Sequence, residues 1–318
     1  QANKNALAAA MNLSGAAVTI GTGSTVAGQY GTLTLNSNGS WSYALANGDA
    51  DTEALDAGQT GAEVFTITLT DENGAQTTST LTITITGSND APVLQAITSP
   101  AAMVESTDAA AQALTAGGTL SVSDVDANDT LTATAGTPTV MLNGEAFTLP
   151  EGAASLIAAG ALSFGGPANS SGGAANSITW AYSGTGDLDF LRDGQTLTLT
   201  FPVTVGDGST GSNSQTITIT ITGTNDGPVA SADASSQAEG SIVTEAGDAP
   251  SVAGQPSANG NVLTNDTDRD AGDTQTVSHV GTTSADTAVA PETTSSNGTV
   301  IVGTFGTLTL GANGTWSY

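Results

Sequence analysis

Residues 83–93 read Ile-Thr-Ile-Thr-Gly-Ser-Asn-Asp-Ala-Pro-Val, and residues 219–229 repeat the pattern as Ile-Thr-Ile-Thr-Gly-Thr-Asn-Asp-Gly-Pro-Val. The alternation of isoleucine and threonine is typical of a β-strand, because successive side chains point to opposite faces. The acidic Asn-Asp-x-Pro segment after it is a hinge, since Pro92 and Pro228 hold the preceding residue in an extended conformation. Two strands that end in such a hinge predict junctions between consecutive modules of a tandem array.

A second repeat predicts a β-hairpin towards each end of the chain. Residues 30–43 read Tyr-Gly-Thr-Leu-Thr-Leu-Asn-Ser-Asn-Gly-Ser-Trp-Ser-Tyr, and residues 305–318 read Phe-Gly-Thr-Leu-Thr-Leu-Gly-Ala-Asn-Gly-Thr-Trp-Ser-Tyr. An Asn-Gly pair between two alternating runs is a strong hairpin signal. A further Trp-x-Tyr pair occurs at residues 180–182. We expect these aromatic pairs to pack in cores rather than to stack on sugars, because their two-residue spacing places both rings on one face of a strand.

The repeats divide the chain into three modules. We expect residues 1–91 to hold most of a first module, residues 92–227 a complete second one, and residues 228–318 the opening part of a third. The first module lacks a counterpart of residues 261–274, and the third stops at its Trp-Ser-Tyr strand. The predicted fold class is all-β: Greek-key sandwiches of the immunoglobulin or cadherin type, joined end to end. An unfinished sandwich leaves a strand edge open, so we expect the chain to continue or another chain to supply strands.

The charge balance of the chain is extreme. Its 318 residues include 30 acidic residues and three basic ones, Lys4, Arg192 and Arg269, which gives a formal charge of −27. A chain without a basic patch is a poor partner for nucleic acid or for anionic membrane surfaces. So many carboxylates repel one another unless counter-ions intervene. The composition therefore predicts a divalent cation as partner.

Cysteine, aromatic and histidine contents narrow the class of protein further. Aromatic residues make up 4% of the chain and cysteine is absent, so we expect thin cores without disulfides. This composition is typical of extracellular bacterial proteins that metal ions stabilise, and no apolar stretch in the sequence is long enough to span a membrane. His279 is the single histidine. We expect no enzymatic activity, because a His-based zinc site and a cysteine nucleophile are excluded.

The hinges and hairpins together resemble VCBS-type and cadherin-like repeats, which occur in large bacterial surface adhesins related to the RTX and BapA proteins. Residues 261–268, Asn-Val-Leu-Thr-Asn-Asp-Thr-Asp, also resemble the opening of a VCBS module. The resemblance covers residues 20–92 and 222–318, whereas the middle module matches mainly at its ends. It implies an extracellular array of β-sandwiches that calcium stiffens at the junctions and that serves as an adhesin stalk. The Gly-Gly-x-Gly-x-Asp repeat of the RTX calcium β-roll is absent from the sequence.

Acidic residues near the hinges predict two calcium sites between modules. Calcium takes about six to eight oxygen ligands, and an Asp-x-Asp pair places two carboxylates on one side of an extended segment. Such a pair follows each hinge at a similar distance. For the first junction, the expected ligands are Asp71, Asn89, Asp90, Glu105, Asp124 and Asp126. For the second, they are Asp207, Asn225, Asp226, Asp266 and Asp268, with Glu239 or Glu245 as a further ligand.

A simpler interpretation of these residues stays open at this point. Asp and Asn suit turns and can remain hydrated there. The same alternatives, a solvated loop or a calcium site within one module, apply to two other acidic loops. These loops contain Asp49, Asp51, Glu53 and Asp56 in the first module, and Asp187, Asp189 and Asp193 in the second.

The function expected from the sequence is mechanical. We expect a calcium-stiffened extender of a giant bacterial cell-surface adhesin or extracellular fibre, which mediates adhesion and biofilm cohesion and whose partners are its own neighbouring modules. One alternative is a subunit of an extracellular filament or sheath, in which residues 300–318 pair with another copy by strand addition. The other is a ligand-binding adhesin domain in the middle module, around residues 142–173, which departs from the repeat pattern.

Overall fold

The structure is a computed structural model that describes residues 10–13, 16–19, 23–107, 111–233, 242–245, 254–282 and 285–318. In these residues the backbone forms β-strands joined by turns, together with a four-residue α-helix, α1 (Ala50–Glu53), and a 3₁₀ helix (Glu151–Ile157). The fold is all-β, which confirms the predicted fold class. Within the described ranges, every helix is too short and too polar to cross a membrane.

The strands fall into three groups separated by the two hinges. Before the first hinge they are β1 (Ala10–Leu13), β2 (Ala16–Thr19), β3 (Ser24–Ala27), β4 (Gly31–Leu35), β5 (Trp41–Leu45), β6 (Thr60–Thr70) and β7 (Gln76–Thr86). Between the hinges they are β8 (Val93–Leu94), β9 (Met103–Val104), β10 (Gln112–Ser123), β11 (Ala127–Ala135), β12 (Thr139–Leu142), β13 (Glu145–Ala146), β14 (Leu162–Phe164), β15 (Ala168–Ser171), β16 (Asn176–Gly186), β17 (Thr196–Gly206) and β18 (Gln215–Thr222). After the second hinge they are β19 (Pro228–Val229), β20 (Asn259–Asn261), β21 (Thr267–Asp268), β22 (His279–Thr282), β23 (Ala285–Ala288), β24 (Thr299–Val302), β25 (Thr307–Leu310) and β26 (Thr315–Ser317).

The strands between the hinges form a two-layer sandwich with a large core. One sheet has the order β14-β16-β10-β8. In the other, one edge of β17 pairs with β18, and its other edge pairs with β11 and β12. Every second side chain of β16 and of β17 is buried, and Tyr182, Leu197 and Phe201 meet in the core between the sheets. Apolar alternation in the sequence therefore marks the faces that the two sheets turn towards each other.

The cores on either side are smaller. Before the first hinge, one sheet has the order β2-β1-β6-β7 and a second has the order β3-β4-β5. Their shared core among the described residues consists of Val26, Leu33, Leu35 and Phe65. After the second hinge, the sheet β20-β26-β25-β24 contributes to a core of Val289, Leu310 and Ala312. Each core lies within one of the three predicted modules, and the module boundaries stay a prediction.

Strand β24 is a sheet edge with exposed apolar side chains. It pairs with β25 on one side and with no other strand of the described chain. Val300 and Val302 on this strand, and Phe305 just after it, are exposed. An open apolar edge of this kind can accept a strand from another molecule. Strand addition from a second copy stays a prediction.

The Trp-x-Tyr pairs have different environments in the three modules. Trp180 is buried and lies over Gly118, and Trp316 lies in the same way over Gly260; in both cases a Cβ on the glycine would be 2.9 Å from the indole nitrogen. The prediction of core packing is confirmed for Trp180. It is wrong for Trp41, which is 51% exposed. The physical reason is that β5 forms an edge of its sheet, so no described strand brings a glycine opposite Trp41.

The direction of the last hairpin decides which loops lie at each end of the middle sandwich. Strand β17 runs away from the second hinge, and β18 returns to it at Gly223. A strand of this length spans roughly 25 Å. The turn that holds Asp207 therefore lies at the end that faces the first hinge. Strand β9 pairs in parallel with the end of β18, and this pairing places Glu105 at the opposite end, beside the second hinge.

Candidate metal centres at the module junctions

Each hinge is held against a Gly-Gln loop by the same backbone hydrogen bonds. At the first hinge, the N–H of Gly58 donates to Gly87 O, and the N–H of Gly87 donates to Gln59 O. Residues 194–195 make the same two bonds with Gly223 at the second hinge. A Cβ would lie 2.0 Å from a carbonyl oxygen at Gly87 and 2.4 Å from one at Gly223. Glycine therefore lets the strand end pass close to the loop, and this fixes where the Asn-Asp segment leaves each sandwich.

An acidic turn from the following module closes on each hinge. Residues 124–129 read Asp-Val-Asp-Ala-Asn-Asp, and residues 268–273 read Asp-Arg-Asp-Ala-Gly-Asp. The N–H of Asp90 donates to the carboxylate of Asp126, the third residue of the first turn, at 2.6 Å. The N–H of Asp226 donates to the carboxylate of the equivalent third residue at 2.9 Å. Both junctions thus join a hinge aspartate to the same position of an acidic turn.

The first junction gathers acidic side chains from both sides of the hinge. We call the following set the first junction cluster: Asp56, Asp90, Asp124, Asp126, Asp129 and Asp207. Carboxylate oxygens of Asp56, Asp126 and Asp129 lie within 4.8 Å of one another, and the same limit holds for Asp124, Asp129 and Asp207. Asp129 belongs to both groups. The cluster therefore offers two neighbouring positions at which three carboxylates could hold one cation.

Two members of the first junction cluster are buried and incompletely hydrogen-bonded. Asp124 is 2% exposed and Asp126 is fully buried. One oxygen of each accepts a backbone N–H, whereas Asp124 Oδ2 and Asp126 Oδ1 have no hydrogen-bond partner in the described part of the chain. Leaving a buried polar atom unpaired costs on the order of 1–3 kcal/mol, and more for a charged group. These two carboxylate oxygens are therefore available to coordinate a metal ion.

The pKa values at the first junction reflect the burial of these carboxylates and their shortage of hydrogen bonds. Burial, together with repulsion from the neighbouring carboxylates of Asp126 and Asp129, raises the pKa of Asp124 to about 6. Burial, with repulsion from Asp90, also raises the pKa of Asp126. Asp207 differs: burial alone would raise its pKa, but hydrogen bonds from residues 209–210 and from the Asn89 amide, at 3.1 Å, lower it overall. Asp207 therefore carries a negative charge more readily than Asp124 or Asp126.

The second junction contains an acidic cluster and both arginines of the chain. We call the following set the second junction cluster: Glu105, Asp189, Asp226, Asp268, Asp270, Asp273, Arg192 and Arg269. Oxygens of the buried residues Glu105, Asp189 and Asp226 lie within 4.8 Å of one another. Glu105 Oε2 accepts the N–H of Thr224 at 3.0 Å, while Oε1 has no hydrogen-bond partner among the described residues. Burial raises the pKa of Glu105 to about 7, and nearby aspartates contribute.

The arginines form the ion pairs of the second junction cluster. Arg269 Nη1 lies 2.5 Å from Asp189 Oδ2, and Arg192 Nε lies 2.8 Å from Asp273 Oδ1. Each pair joins the middle module to the acidic turn of the next one. The remaining base, Lys4, lies outside the described residues. Among those residues, therefore, positive side chains occur at one junction and not at the other.

The structure assigns two of the predicted ligands to the opposite junction. Glu105 lies in the second cluster, because β9 pairs with the end of β18. Asp207 lies in the first cluster, because a strand separates its turn from the second hinge. The prediction that grouped them the other way is wrong. Asp71, the counterpart of Asp207, accepts the N–H groups of Asn73 and Ala75 in an exposed turn and belongs to neither cluster.

The second Asp-x-Asp pair is also shifted by two residues from its prediction. Asp268 and Asp270 correspond to Asp124 and Asp126, since the N–H of Asp270 donates to the Asp268 carboxylate at 3.1 Å, as the N–H of Asp126 donates to the Asp124 carboxylate at 3.2 Å. The predicted Asp266 instead accepts the N–H of Ser231 at 2.8 Å and holds the segment beyond the hinge.

Most of the other predicted ligands lie at the junction to which the sequence assigned them. Asn89, Asp90, Asp124 and Asp126 lie together at the first junction, and at the second Asp226 and Asp268 are each hydrogen-bonded to Asp270. The Asn225 amide donates to Asp226 O at 2.7 Å. Glu245 is exposed and belongs to neither cluster, and Glu239 lies outside the described residues.

Sequence reasoning missed five acidic members of the clusters. They are Asp56, Asp129, Asp189, Asp270 and Asp273. Three of them carry a signal that could have found them, because Asp-x-Asp-Ala-(Asn/Gly)-Asp-Thr occurs at residues 124–130 and again at residues 268–274. The other two come from the acidic loops that were interpreted as solvated or as separate calcium sites. In the first of these loops, Asp49 caps α1 by accepting the N–H of Asp51, while Asp56 reaches the junction.

The region proposed as an alternative ligand-binding site contains a shallow depression. It has a volume of about 640 Å³ and is lined by uncharged residues of segments 133–138 and 157–164, with Phe201. Ligand sites usually combine an apolar wall with a few convergent polar groups. The lining offers no charged side chain of this kind. Ligand binding in the middle module stays a prediction.

Comparison with known proteins supports a cadherin-like character for the beginning of the chain. Residues 1–87 match the family model of the bacterial cadherin-like domain, so this region is cadherin-like. A search of curated proteins found no match. The family match and the sheets described above agree on a β-sandwich fold.

Solved structures show distant likenesses. CfaE, the adhesive subunit of the CFA/I fimbria of enterotoxigenic Escherichia coli, is 10% identical with a TM-score of 0.28, over 57% of this chain and 61% of that one. Domains 4–9 of the surface layer protein SbsC are 9% identical with a TM-score of 0.19, over 90% of this chain and 32% of that one. The chain thus spans about three fifths of the CfaE structure and about a third of the SbsC structure. Scores this low carry no argument about fold or function.

Proposed function

We propose that this chain is a calcium-stiffened extender within a bacterial extracellular adhesin or fibre. The observation that carries the proposal is the first junction cluster. Asp56 from one module and Asp126 and Asp129 from the next bring carboxylate oxygens within 4.8 Å of one another, and Asp126 Oδ1 is buried without a hydrogen-bond partner among the described residues. The family match of residues 1–87 to a bacterial cadherin-like domain supports an extracellular setting.

Electrostatics explains how such a cluster would set the stiffness of the chain. Two carboxylates about 4 Å apart repel by about 4 kcal/mol at an effective dielectric of 20. Without a cation this repulsion pushes the two modules apart at the hinge. A calcium ion takes carboxylate, amide and carbonyl oxygens at about 2.3–2.6 Å. It would replace this repulsion by attraction, because one ion would bind Asp56 of the preceding module together with Asp126 and Asp129 of the following module.

The role proposed for these residues is structural rather than catalytic. The ligands come from the ends of sandwiches, and each hinge is already held by backbone bonds between Gly58 and Gly87 or between Gly194 and Gly223. A bound cation would restrict the remaining freedom between modules. Repeated along an array, such junctions would give an extended stalk that transmits force without bending.

Small-angle X-ray scattering of the full chain, in calcium and then in chelator, tests this function. We expect a longer and less variable particle in calcium, together with a higher melting temperature, because ligand binding to the folded state stabilises it. An unchanged scattering profile with an unchanged melting temperature would contradict the proposal.

A matched pair of variants locates the effect. Asp126→Asn removes a buried carboxylate from the cluster, and Asp71→Asn makes the same chemical change in an exposed turn. We expect Asp126→Asn to lose most of the calcium-dependent rise in melting temperature and Asp71→Asn to keep it. Equal responses of the two variants would exclude the first junction cluster as the calcium site.

A further inference from the structure

The two junctions have the same backbone construction on the side of the preceding module. The N–H of Asp56 donates to the Gln59 side chain at 3.1 Å, and the N–H of Arg192 donates to the Gln195 side chain at 3.2 Å. In both loops the glutamine N–H donates back to the first residue at 2.9 Å. Asp56 and Arg192 therefore occupy equivalent positions with opposite charges.

The acidic turns on the side of the following module are equivalent as well. The fifth residue of each turn has a positive φ, 74° at Asn128 and 86° at Gly272. The sixth residue is an aspartate in both, Asp129 in the first turn and Asp273 in the second. The residues that face Asp56 and Arg192 across the two junctions are therefore aspartates that follow the same left-handed position of the turn.

The side chains that meet across this position differ in sign. At the first junction, Asp56 faces Asp129, and burial together with the Asp56 carboxylate raises the pKa of Asp129. At the second junction, Arg192 Nε lies 2.8 Å from Asp273 Oδ1, and Arg192 Nη2 donates to Ala271 O. The Arg192 guanidinium thus bridges the two modules at the place where the first junction presents three carboxylates.

The second turn is also shaped to admit the guanidinium. A Cβ on Gly272 would lie 2.2 Å from Arg192 Nη2, so the absence of a side chain makes room for the arginine. The first turn has Asn128 at this position. A second difference lies in the same turn: Arg269, which pairs with Asp189, corresponds to Val125. Relative to the first junction, Arg192 in place of Asp56 and Arg269 in place of Val125 each add a fixed positive charge.

We propose that Arg192 and Arg269 are built-in counter-ions that take the place of one bound cation at the second junction. The first junction then depends on calcium for its alignment, whereas the second keeps its alignment at calcium concentrations that leave the first one loose. This inference rests on the proposed function, because it assigns different calcium requirements to the two junctions of one stiffened chain. The ligand concerned is a divalent cation bound by Asp56, Asp126 and Asp129.

Distance measurements between spin labels on the full chain test the inference. The chain has no cysteine, so introduced cysteines can be labelled selectively at exposed strand positions. One pair, Thr84→Cys with Ser121→Cys, spans the first junction, and another, Ala113→Cys with Thr307→Cys, spans the second. In chelator we expect a broad distance distribution across the first junction and a narrow one across the second. On adding calcium, we expect the distance distribution across the first junction to narrow and the one across the second to change little.

A charge swap supplies the matched control. The double variant Asp56→Arg with Arg192→Asp keeps the composition and net charge of the chain, and we expect it to exchange the calcium responses of the two junctions. In calorimetric titrations, Asp56→Arg should bind one calcium fewer and Arg192→Asp one more. Glu72→Arg, an equal charge change in an exposed turn outside both clusters, should bind as the unmodified chain does. Circular dichroism establishes that each variant is folded.

The possible outcomes separate the inference from the function on which it rests. Equal calcium responses of both junctions, or a charge swap that leaves the two distance distributions as they were, overturn the inference and leave calcium stiffening intact. A first junction that is equally narrow in chelator and in calcium overturns calcium stiffening and the inference together. Exchange of the two responses by the charge swap supports the inference directly.

Discussion

Glu105 combines nearly complete burial with a carboxylate oxygen that has no hydrogen-bond partner in the described part of the chain. Its ionised form therefore has one hydrogen bond, from Thr224, to offset the loss of solvent. Asp124 is in the same position at the other junction. Burial raises the pKa of Glu105 from 4.5 to about 7 and that of Asp124 from 3.8 to about 6. A residue of this kind couples the stability of the fold to both protons and cations.

The pH dependence of stability follows from these two residues. Because the folded-state pKa values are raised, the folded chain binds more protons than the unfolded chain between about pH 4 and pH 7, so its free energy of unfolding decreases as the pH rises through this window. In chelator we expect the melting temperature to fall by several degrees from pH 4.5 to pH 7.5, at roughly 2–4 °C for each kcal/mol lost. Calcium should reduce this fall, since it stabilises the ionised form.

The variant Glu105→Gln identifies one source of the pH dependence. It cannot ionise, so in chelator its melting temperature should change less with pH than that of the unmodified chain. Scanning calorimetry at several pH values measures the difference. A variant with the same pH profile as the unmodified chain would show that Glu105 is not among the titrating groups.

At the scale of elements, the end of the last strand and the Gly-Gln loop act as one unit. Gly223 packs against the carbonyl oxygens of Leu191 and Arg192 and exchanges backbone hydrogen bonds with residues 194–195. This contact sets where the hinge begins and hence where Asp226 meets the acidic turn of the next module. Gly223 is therefore needed for the close approach of the strand end to the loop, in addition to its place in the hinge motif.

Substitution of the hinge glycine tests this contact. Gly223→Ala would place its Cβ 2.4 Å from Arg192 O, and we expect a loss of about 1–3 kcal/mol in the free energy of unfolding, as for other overpacked sites. Gly166→Ala is the matched control, since a Cβ there meets nothing within 4 Å. Urea unfolding of both variants measures the effect. Equal stability of the two would mean that the loop moves aside at little cost.

At the scale of the whole molecule, the three cores differ greatly in size. The core of the middle sandwich contains side chains from both of its sheets, including Leu197, whereas the core before the first hinge has four buried members among the described residues, including Leu33. Hydrophobic stabilisation increases with the apolar area that is buried. The chain therefore has a stable centre between two weaker flanks, and calcium at the first junction would join one flank to that centre.

A matched pair of core variants tests this order of stability. Leu33 and Leu197 are both fully buried, and replacing either by alanine should cost about 2–5 kcal/mol. In chelator we expect thermal unfolding in more than one step. Leu33→Ala should shift the early transition and Leu197→Ala the late one. A single transition that both variants lower equally would show that the modules unfold together.

The sequence by itself determined the class of fold, the repetition and the hinge. Alternating residues such as those of β7 and β18 indicate which face of a strand is buried, and the proline of each Asn-Asp-x-Pro segment disfavours continuation of the strand because it lacks a backbone N–H. These are local properties, so residues such as Asn89, Asp90, Asp124 and Asp126 could be assigned to a common site from their spacing alone.

Only the tertiary structure decided which acidic residues lie together at each junction. Glu105 and Asp207 changed junctions because strand direction and parallel pairing carry a side chain from one end of a sandwich to the other, and no local pattern encodes that choice. Asp56 likewise faces Asp129, and Arg192 faces Asp273, only when consecutive modules are in contact. Contacts between residues far apart in the chain depend on how whole strands pack, and it is those contacts that set the charge of each junction.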